Sequence, residues 1–90
     1  MLLGRVIGTV WSTKKDENLV GAKFLIVREL SLELKEKDRF LVAVDSVGAG
    51  EGEVVLVATG SSSRMTSFTK DKPVDAVIMG IVDKLDVSEK

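Results

Sequence analysis

Residues 42–60 read VAVDSVGAGEGEVVLVATG, and this stretch decides the fold of the chain. Apolar runs rich in valine stand on both sides of a glycine-rich loop. Such runs, bounded by glycine, predict two β-strands joined by a loop. The loop consists of Gly48, Ala49, Gly50, Glu51 and Gly52. Glycines at alternate positions let the backbone turn sharply and approach another group closely.

The rest of the chain supplies three more predicted strands and one weak helix signal. The five predicted strands span residues 2–11, 22–30, 40–47, 53–59 and part of 74–87. Residues 31–38 alternate at first and then become a charge cluster, which predicts a strand end followed by an exposed loop. Residues 60–72 are polar with spaced apolar residues, Met65 and Phe68, and predict one short helix with a serine as N-cap.

This order of elements indicates an all-β fold. Short strands with a single short helix are typical of a small barrel or a sandwich. One short helix before the last strand favours a closed, five-stranded OB-like β-barrel, and closure removes exposed strand edges. We expect a barrel domain over residues 1–85 and a polar C-terminal tail over residues 86–90.

Composition argues against several classes of function. The 90 residues carry a formal net charge of −1, which does not favour binding to nucleic acid or to an anionic membrane. The chain has neither cysteine nor histidine, so disulfides and the commonest general base and metal ligand are missing. Residues 1–5 do not resemble a secretory signal, and no uncharged run is long enough to span a bilayer. A cytoplasmic protein is therefore expected.

Several predicted strands are apolar on both faces. In residues 40–47, for example, Phe40, Val42 and Val44 share one face. Leu41 and Ala43 share the other face. Because the interior of a small barrel covers only one face of each strand, the outer apolar residues predict contact with other subunits. The alternative is a sandwich of two sheets whose surplus valines are ordinary surface residues.

Six short motifs follow one another along the chain. They occupy residues 4–10, 13–15 together with 19–27, 45–53, 60–64, 73–75 and 80–83. In this order they resemble the vertex proteins of bacterial microcompartment shells, the CcmL/EutN family. Residues 32–39 depart from the family pattern, because lysines and acidic residues stand where glycine or proline is usual.

The resemblance implies a five-stranded barrel that assembles into a cyclic homopentamer. Pentamers of this family occupy the five-fold corners of a shell that hexameric shell proteins otherwise tile, and a narrow opening follows the five-fold axis. The implied role is structural, with no catalytic residue, no cofactor and no metal. The implied partners are further copies of the chain and hexameric shell proteins, without nucleic acid or membrane. The implied location is a microcompartment shell in the cytoplasm.

The glycine loop, residues 48–52, has three interpretations. A phosphate-binding loop would end in Gly-Lys-Ser/Thr, which is absent, and Glu51 and Glu53 would repel phosphate. An ordinary β-turn between two strands is the second interpretation. The resemblance implies the third, a close-packed loop that faces neighbouring subunits or the ring axis. In that case Gly50 has no space for a bulky side chain, and its backbone is expected to need a positive φ.

Charged residues supply the remaining candidate sites. Arg64 is expected to form an inter-subunit ion pair or to bind a carbonyl, with a solvated arginine as the alternative. The resemblance adds Asp75 and Asp83 to the subunit interface. Three carboxylates near the glycine loop belong to Asp45, Glu51 and Glu53. They are a weak candidate for a hard-metal site, since a Ca²⁺ loop needs more oxygen ligands at closer spacing. A charged rim that pairs with Arg64 or with lysines is the other interpretation.

Two other classes of function compete with a structural role. One is a small OB-like binding module for nucleic acid or protein. Nucleic-acid OB-folds stack bases on exposed aromatic residues in a basic groove, whereas this chain has one tryptophan, three phenylalanines and no basic excess. The other is an enzyme with a nucleophile among Ser61–Ser63, which would lack both a histidine base and the Gly-x-Ser-x-Gly elbow.

Overall fold

The computed structural model describes residues 1–12, 15–67, 69–70 and 74–88. It contains five strands, which are β1 (Leu2–Val10), β2 (Phe24–Leu30), β3 (Glu36–Asp45), β4 (Val54–Thr59) and β5 (Ala76–Ile81). The strands close into a barrel in the order β1-β2-β3-β5-β4. Neighbouring strands are antiparallel, except β3 and β5, which are parallel. The predicted closed, five-stranded OB-like barrel is confirmed.

Alternating apolar residues of every strand build the barrel interior. Successive side chains of a strand point to opposite faces, so every second residue reaches the inside. Val27, Val55 and Val57 have no exposed surface as a result. The interior cluster consists of Val6, Leu25, Val27, Ala43, Ala49, Val55, Val57, Ala76 and Ile78. Since Ala49 belongs to the glycine loop, this loop packs onto the interior.

A second apolar cluster covers part of the outer surface. It consists of Ala22, Val44, Ala58, Val74 and Val77, with Leu19, Phe24 and Met79 packed against it. Other residues on the outer face of β3 have no such cover, because Phe40 is 62% exposed and Val42 is 41% exposed. The subunit therefore covers some of its outer apolar residues itself and leaves others open.

β3 begins earlier than the sequence predicts. Its first residue is Glu36 rather than Phe40, so most of the charge cluster at 35–38 belongs to the strand and not to an exposed loop. The predicted start of this strand at residue 40 is wrong, because β3 pairs with β2 as far back as Glu36, before its apolar residues begin. Glu29 of β2 holds this extension through an ion pair with Lys37, 3.1 Å between Oε2 and Nζ.

Within the described residues, the helical segments are two short 3₁₀ turns. Gly60–Arg64 forms the turn inside the predicted segment 60–72. The residue at its N-cap is Thr59, whose side chain makes no capping hydrogen bond, so the predicted serine N-cap is wrong. The other turn, Glu17–Leu19, is absent from the sequence prediction. It forms because the Asp16 carboxylate before it accepts a hydrogen bond from the Asn18 N–H at 2.8 Å.

Residues 82–88 follow β5 without regular secondary structure. The domain boundary at residue 85 stays a prediction, because the last strand ends before it and residues 89–90 lie outside the described residues. Phe68 and Pro73 also lie outside them. In the part of the chain that the structure describes, no helix is both long and apolar enough to cross a lipid bilayer.

Candidate functional site

The carboxylate of Asp45, the last residue of β3, holds one side of the glycine loop. Its Oδ1 accepts hydrogen bonds from the N–H groups of Val47 at 3.1 Å, Gly48 at 3.1 Å and Ala49 at 3.2 Å. Its Oδ2 accepts a further bond from the Ala49 N–H at 3.0 Å. Aspartate side chains commonly stabilise turns by accepting bonds from backbone amides that follow them. Asp45 therefore fixes the shape of the loop.

Glu53 and β1 hold the other side of the loop. The Gly50 N–H donates to Glu53 Oε1 at 2.7 Å, and the Glu53 N–H donates to the Gly50 carbonyl at 3.2 Å. The Gly52 N–H donates to the Val6 carbonyl at 2.8 Å, and the Val6 N–H donates to the Glu53 carbonyl at 3.0 Å. Contacts within one subunit thus anchor both ends of the loop.

The loop glycines do not all have the same conformational requirement. Gly48 and Gly52 have φ angles of 77° and 87°, in the region that favours glycine. Gly50 is outside that region, so the expectation of a positive φ there is wrong. A Cβ built on Gly50 would meet only Glu53 Oε1, at 3.5 Å, which is an ordinary contact. One subunit therefore has room for a small side chain at position 50.

The loop carboxylates do not form a metal site within the subunit. Oxygens of Asp45 and Glu53 are already engaged with loop amides. Among the described residues, no group of three or more acidic, histidine or cysteine side chains is placed to hold a metal ion. Nor does Arg64 pair with these carboxylates, because its guanidinium binds a carbonyl on another part of the barrel.

Arg64 and Ser63 tie the β4–β5 connection to the residue before Asp75. Arg64 Nη1 donates to the Val74 carbonyl at 2.9 Å. The Ser63 hydroxyl is fully buried and lies 3.0 Å from the same carbonyl oxygen and 2.5 Å from that of Gly60. Arg64 therefore has the carbonyl-binding role within its own subunit, while the residue as a whole remains exposed.

The three predicted interface residues lie in two different places. Asp75 is exposed and directly precedes β5, next to the carbonyl that Arg64 binds. Asp83 is exposed near the start of β4, since the Val82 N–H donates to the Val54 carbonyl at 2.8 Å. The structure thus brings Arg64 and Asp75 together and places Asp83 closer to the glycine loop. Their role at a subunit interface stays a prediction.

An open slot lies between β3 and β5, and no pattern in the sequence predicts it. The two strands pair only at Val44 and Asp45, so the earlier part of β3 has no strand on this side among the described residues. The slot has a volume of about 460 Å³. Its lining consists of Leu41, Val42, Thr59, Gly60, Asp75 and Ala76. An unpaired edge beside exposed Phe40 and Val42 is a candidate surface for protein contact.

A second exposed surface belongs to β1 and its neighbour β2. Ile7 is 40% exposed, and Trp11, directly after β1, is 89% exposed. Arg5 and Arg28 lie directly opposite each other across the two strands. Arg28 Nε is buried and has no hydrogen-bond partner among the described residues. Two positive charges that face each other and a buried N–H without a partner both lower the free energy of unfolding. These features are consistent with a surface that binds another molecule.

Comparison with known proteins identifies the family. Residues 1–83 match the family model described as "Ethanolamine utilisation protein EutN/carboxysome". The chain is 46% identical over 86 residues to the microcompartment shell vertex protein GrpN of Rhodospirillum rubrum, covering 96% of this chain and 97% of GrpN. It is 46% identical over 88 residues to the carboxysome shell vertex protein CcmL of Synechocystis, covering 98% of this chain and 88% of that protein.

Solved structures give the same result. The structure of CcmL from Gloeobacter violaceus matches the barrel with a TM-score of 0.93 at 41% identity, covering 98% of this chain and 91% of that chain. The structure of GrpN from Rhodospirillum rubrum, a pentameric microcompartment shell protein, matches with a TM-score of 0.86 at 45% identity, covering 99% of this chain and 100% of that chain. The resemblance seen in the sequence motifs is confirmed, and the chain belongs to the EutN/CcmL family.

Proposed function

We propose that this protein is a structural component of a bacterial microcompartment shell, in which five copies form a closed ring at each five-fold vertex. The observation that carries this proposal is the similarity to GrpN, a shell vertex protein that is 46% identical over 96% of this chain. The solved GrpN structure is that of a pentameric shell protein. A fold alone does not imply a function, but likeness in sequence over the whole barrel supports a shared one.

The proposed mechanism is geometric. A flat hexagonal layer of shell proteins acquires curvature and closes only where a five-fold unit replaces a six-fold one. A ring in which two different patches of identical subunits meet head to tail supplies such a unit. The partners of each subunit are then its neighbours in the ring and the hexameric shell proteins around it. No bond is made or broken, so we assign no catalytic residue and no cofactor.

We assign the glycine loop, residues 48–52, to a close-packed position that faces neighbouring subunits or the ring axis. Its shape is fixed by Asp45 and Glu53, so each subunit presents the same surface. Gly50 has ordinary backbone geometry and free space in its own subunit, so packing against other subunits is the proposed reason for a glycine there. The proposed residues at subunit boundaries are Arg64, Asp75 and Asp83.

The proposed location is a microcompartment shell in the bacterial cytoplasm, in line with relatives that belong to carboxysomes and to other microcompartments. We propose no nucleic-acid partner and no membrane partner. The formal net charge of −1 supplies no general attraction to the phosphates of either one. An OB-like binding module is the competing function, and it predicts a monomer in solution.

Light scattering of the purified chain tests the proposal. The expected molar mass is about five times the chain mass of 9.7 kDa, because a closed ring of head-to-tail contacts leaves no interface open. Native mass spectrometry distinguishes five copies from four or six. A stable monomer at micromolar concentration would contradict the vertex role and favour the binding module.

Co-expression with a hexameric shell protein from the same genome tests whether the proposed pentamer closes the shell. Closed particles are expected when both proteins are present, and open sheets or tubes when the hexamer is present alone. Electron microscopy reads the outcome. Closed particles of normal shape in the absence of this chain would show that shell closure does not depend on it.

A further inference from the structure

We propose that the surface at β1 of one subunit packs against the slot between β3 and β5 of the next subunit, and that Trp11 inserts into this slot. The inference rests on the proposed ring and deepens it, because it names the two surfaces that meet. The partner is a second copy of this chain.

The position of the two surfaces on the barrel suits a cyclic ring. In the closed order β1-β2-β3-β5-β4, the slot between β3 and β5 is separated from β1 by two strands in either direction. The two surfaces therefore lie on opposite sides of the barrel. A cyclic ring needs two different patches that face away from each other, so that each subunit contacts one neighbour on either side. The surface at β1 and the slot meet this requirement.

Trp11 is exposed to an extent that favours contact with a neighbouring subunit. At 89% it is the most exposed of the large apolar side chains in the described part of the chain. Tryptophan is enriched among the few residues that dominate the binding energy of protein interfaces. Ile7, on β1 itself, is 40% exposed and adds apolar surface on the same side of the barrel. Contact with a neighbour would remove both side chains from water.

The chemistry of the slot suits an indole ring. Leu41, Val42 and Ala76 give it apolar walls. A Cβ built on Gly60 would meet nothing within 4 Å, so this side of the slot is open. A buried tryptophan usually finds an acceptor for its indole N–H. Asp75 lines the slot and has no side-chain hydrogen bond or ion pair within the described residues, which makes its carboxylate the acceptor for Trp11 Nε1–H.

The first part of β3 has no pairing with β5 along the slot. Phe40 and Val42 stand exposed next to a strand edge that β5 does not cover. Edges of this kind invite uncontrolled association unless another element covers them. In a ring, every subunit covers the slot of its neighbour, and no copy of this edge remains open.

Trp11 is the only tryptophan of the chain, so its fluorescence reports on this contact directly. In fractions that light scattering identifies as pentamer, the emission maximum is expected at shorter wavelength than in dissociated subunits, with protection from acrylamide quenching. A pentamer whose tryptophan is quenched as fully as free tryptophan would contradict the inference and leave the proposed ring intact. A chain that stays monomeric would contradict both.

A matched pair of substitutions tests the slot. Val42→Asp is expected to weaken assembly by about tenfold or more, in the range of an interface hot spot. Val87→Asp serves as the control, because Val87 is 42% exposed and Val42 is 41% exposed, but Val87 lies in the C-terminal segment. Both variants should keep the circular dichroism of a β-rich subunit. Equal assembly of the two variants would contradict the role of the slot.

Cysteine cross-linking tests which surfaces meet. The chain has no cysteine, so Trp11→Cys together with Thr59→Cys introduces one thiol at each proposed surface. Mild oxidation is expected to give a ladder of covalent species up to the pentamer on non-reducing gels. Each single variant forms dimers at most. A ladder that stops at the dimer in the double variant, while the ring remains pentameric, would show that Trp11 and the slot do not meet.

Discussion

Gly4 of β1 shows how little space the barrel interior leaves for a single residue. A Cβ built on Gly4 would overlap Cγ1 of the fully buried Val27 and would lie 3.0 Å from the Arg28 carbonyl oxygen. Glycine inside a strand often marks such a close approach of backbone and side chain. Strands β1 and β2 can therefore pack together here only because position 4 has no side chain.

Gly4→Ala is expected to lower the free energy of unfolding by about 1–3 kcal/mol, because an added methyl group overpacks the interior. Denaturant unfolding measures the change, at one protein concentration since assembly also contributes to stability. Gly80→Ala is the control. Nothing lies within 4 Å of a Cβ built on Gly80, and its φ is not positive, so stability should be unchanged or slightly raised. Equal losses in the two variants would contradict this account of Gly4.

At the scale of elements, the Ser63 hydroxyl and the Arg64 guanidinium hold the start of the connection between β4 and β5 against its end. Ser63 lies against the carbonyls of Gly60 and Val74, and Arg64 binds the second of them from the outside. Thr59, the last residue of β4, pairs with Ala76, the first residue of β5. The connection therefore begins and ends at neighbouring positions on the barrel. Its polar contacts decide where Asp75 and the slot lie.

Ser63→Ala is expected to lower the free energy of unfolding by about 0.5–1.5 kcal/mol, since it removes a buried hydroxyl that is hydrogen-bonded to the carbonyls of Gly60 and Val74. Thermal or chemical unfolding at fixed concentration measures it. Ser62→Ala is the matched control, because Ser62 lies in the same 3₁₀ turn but is exposed. A loss of the same size in Ser62→Ala would show that the effect belongs to the turn and not to the buried hydroxyl.

Arg64→Ala is expected to weaken the ring more than it weakens the barrel. Arg64 is exposed beyond its contact with the Val74 carbonyl, and under the proposed role it pairs with a carboxylate of a neighbouring subunit, which its loss would leave without compensation. Native mass spectrometry on dilution measures the pentamer fraction, while circular dichroism follows the barrel. Arg64→Lys keeps the charge without the planar fork and should give an intermediate result. An unchanged pentamer fraction down to low concentration would rule out the role at the interface.

At the scale of the whole molecule, the proposed function depends on contacts that no single subunit contains. Gly50 is the clearest case, because the subunit itself has room for a side chain at this position. Gly50→Leu is expected to leave isolated subunits β-rich while rings distort or fail. Gly50→Ala adds only the Cβ, which meets Glu53 Oε1 at 3.5 Å, and should disturb assembly less.

In cells with the matching shell genes, Gly50→Leu is expected to give elongated or leaky shells, because hexamers still tile without a functional vertex. Electron microscopy of these cells measures shell shape, with Gly50→Ala as the comparison. Closed, regular shells that carry Gly50→Leu at normal occupancy would show that the loop is an exposed turn rather than a packed surface.

The sequence determined the features that depend on local periodicity. Alternation in β4 placed Val55 and Val57 on one face, and the structure buries both inside the barrel. Five strand signals with one helix signal predicted the closed barrel, and the motifs predicted the family. These features are accessible because a strand has a period of two, and because glycine adopts the positive φ of a turn such as that at Gly48 more readily than other residues.

Only the tertiary structure decided what happens outside the barrel. Val44 and Val42 share one face of β3, yet Val44 is buried and Val42 is exposed. The difference arises because β5 pairs with β3 at Val44, opposite Val77, and not before it. Residues so far apart in the sequence meet only when the barrel closes. The same closure places Asp75 at the slot, and no local pattern in the sequence encodes where that pairing stops.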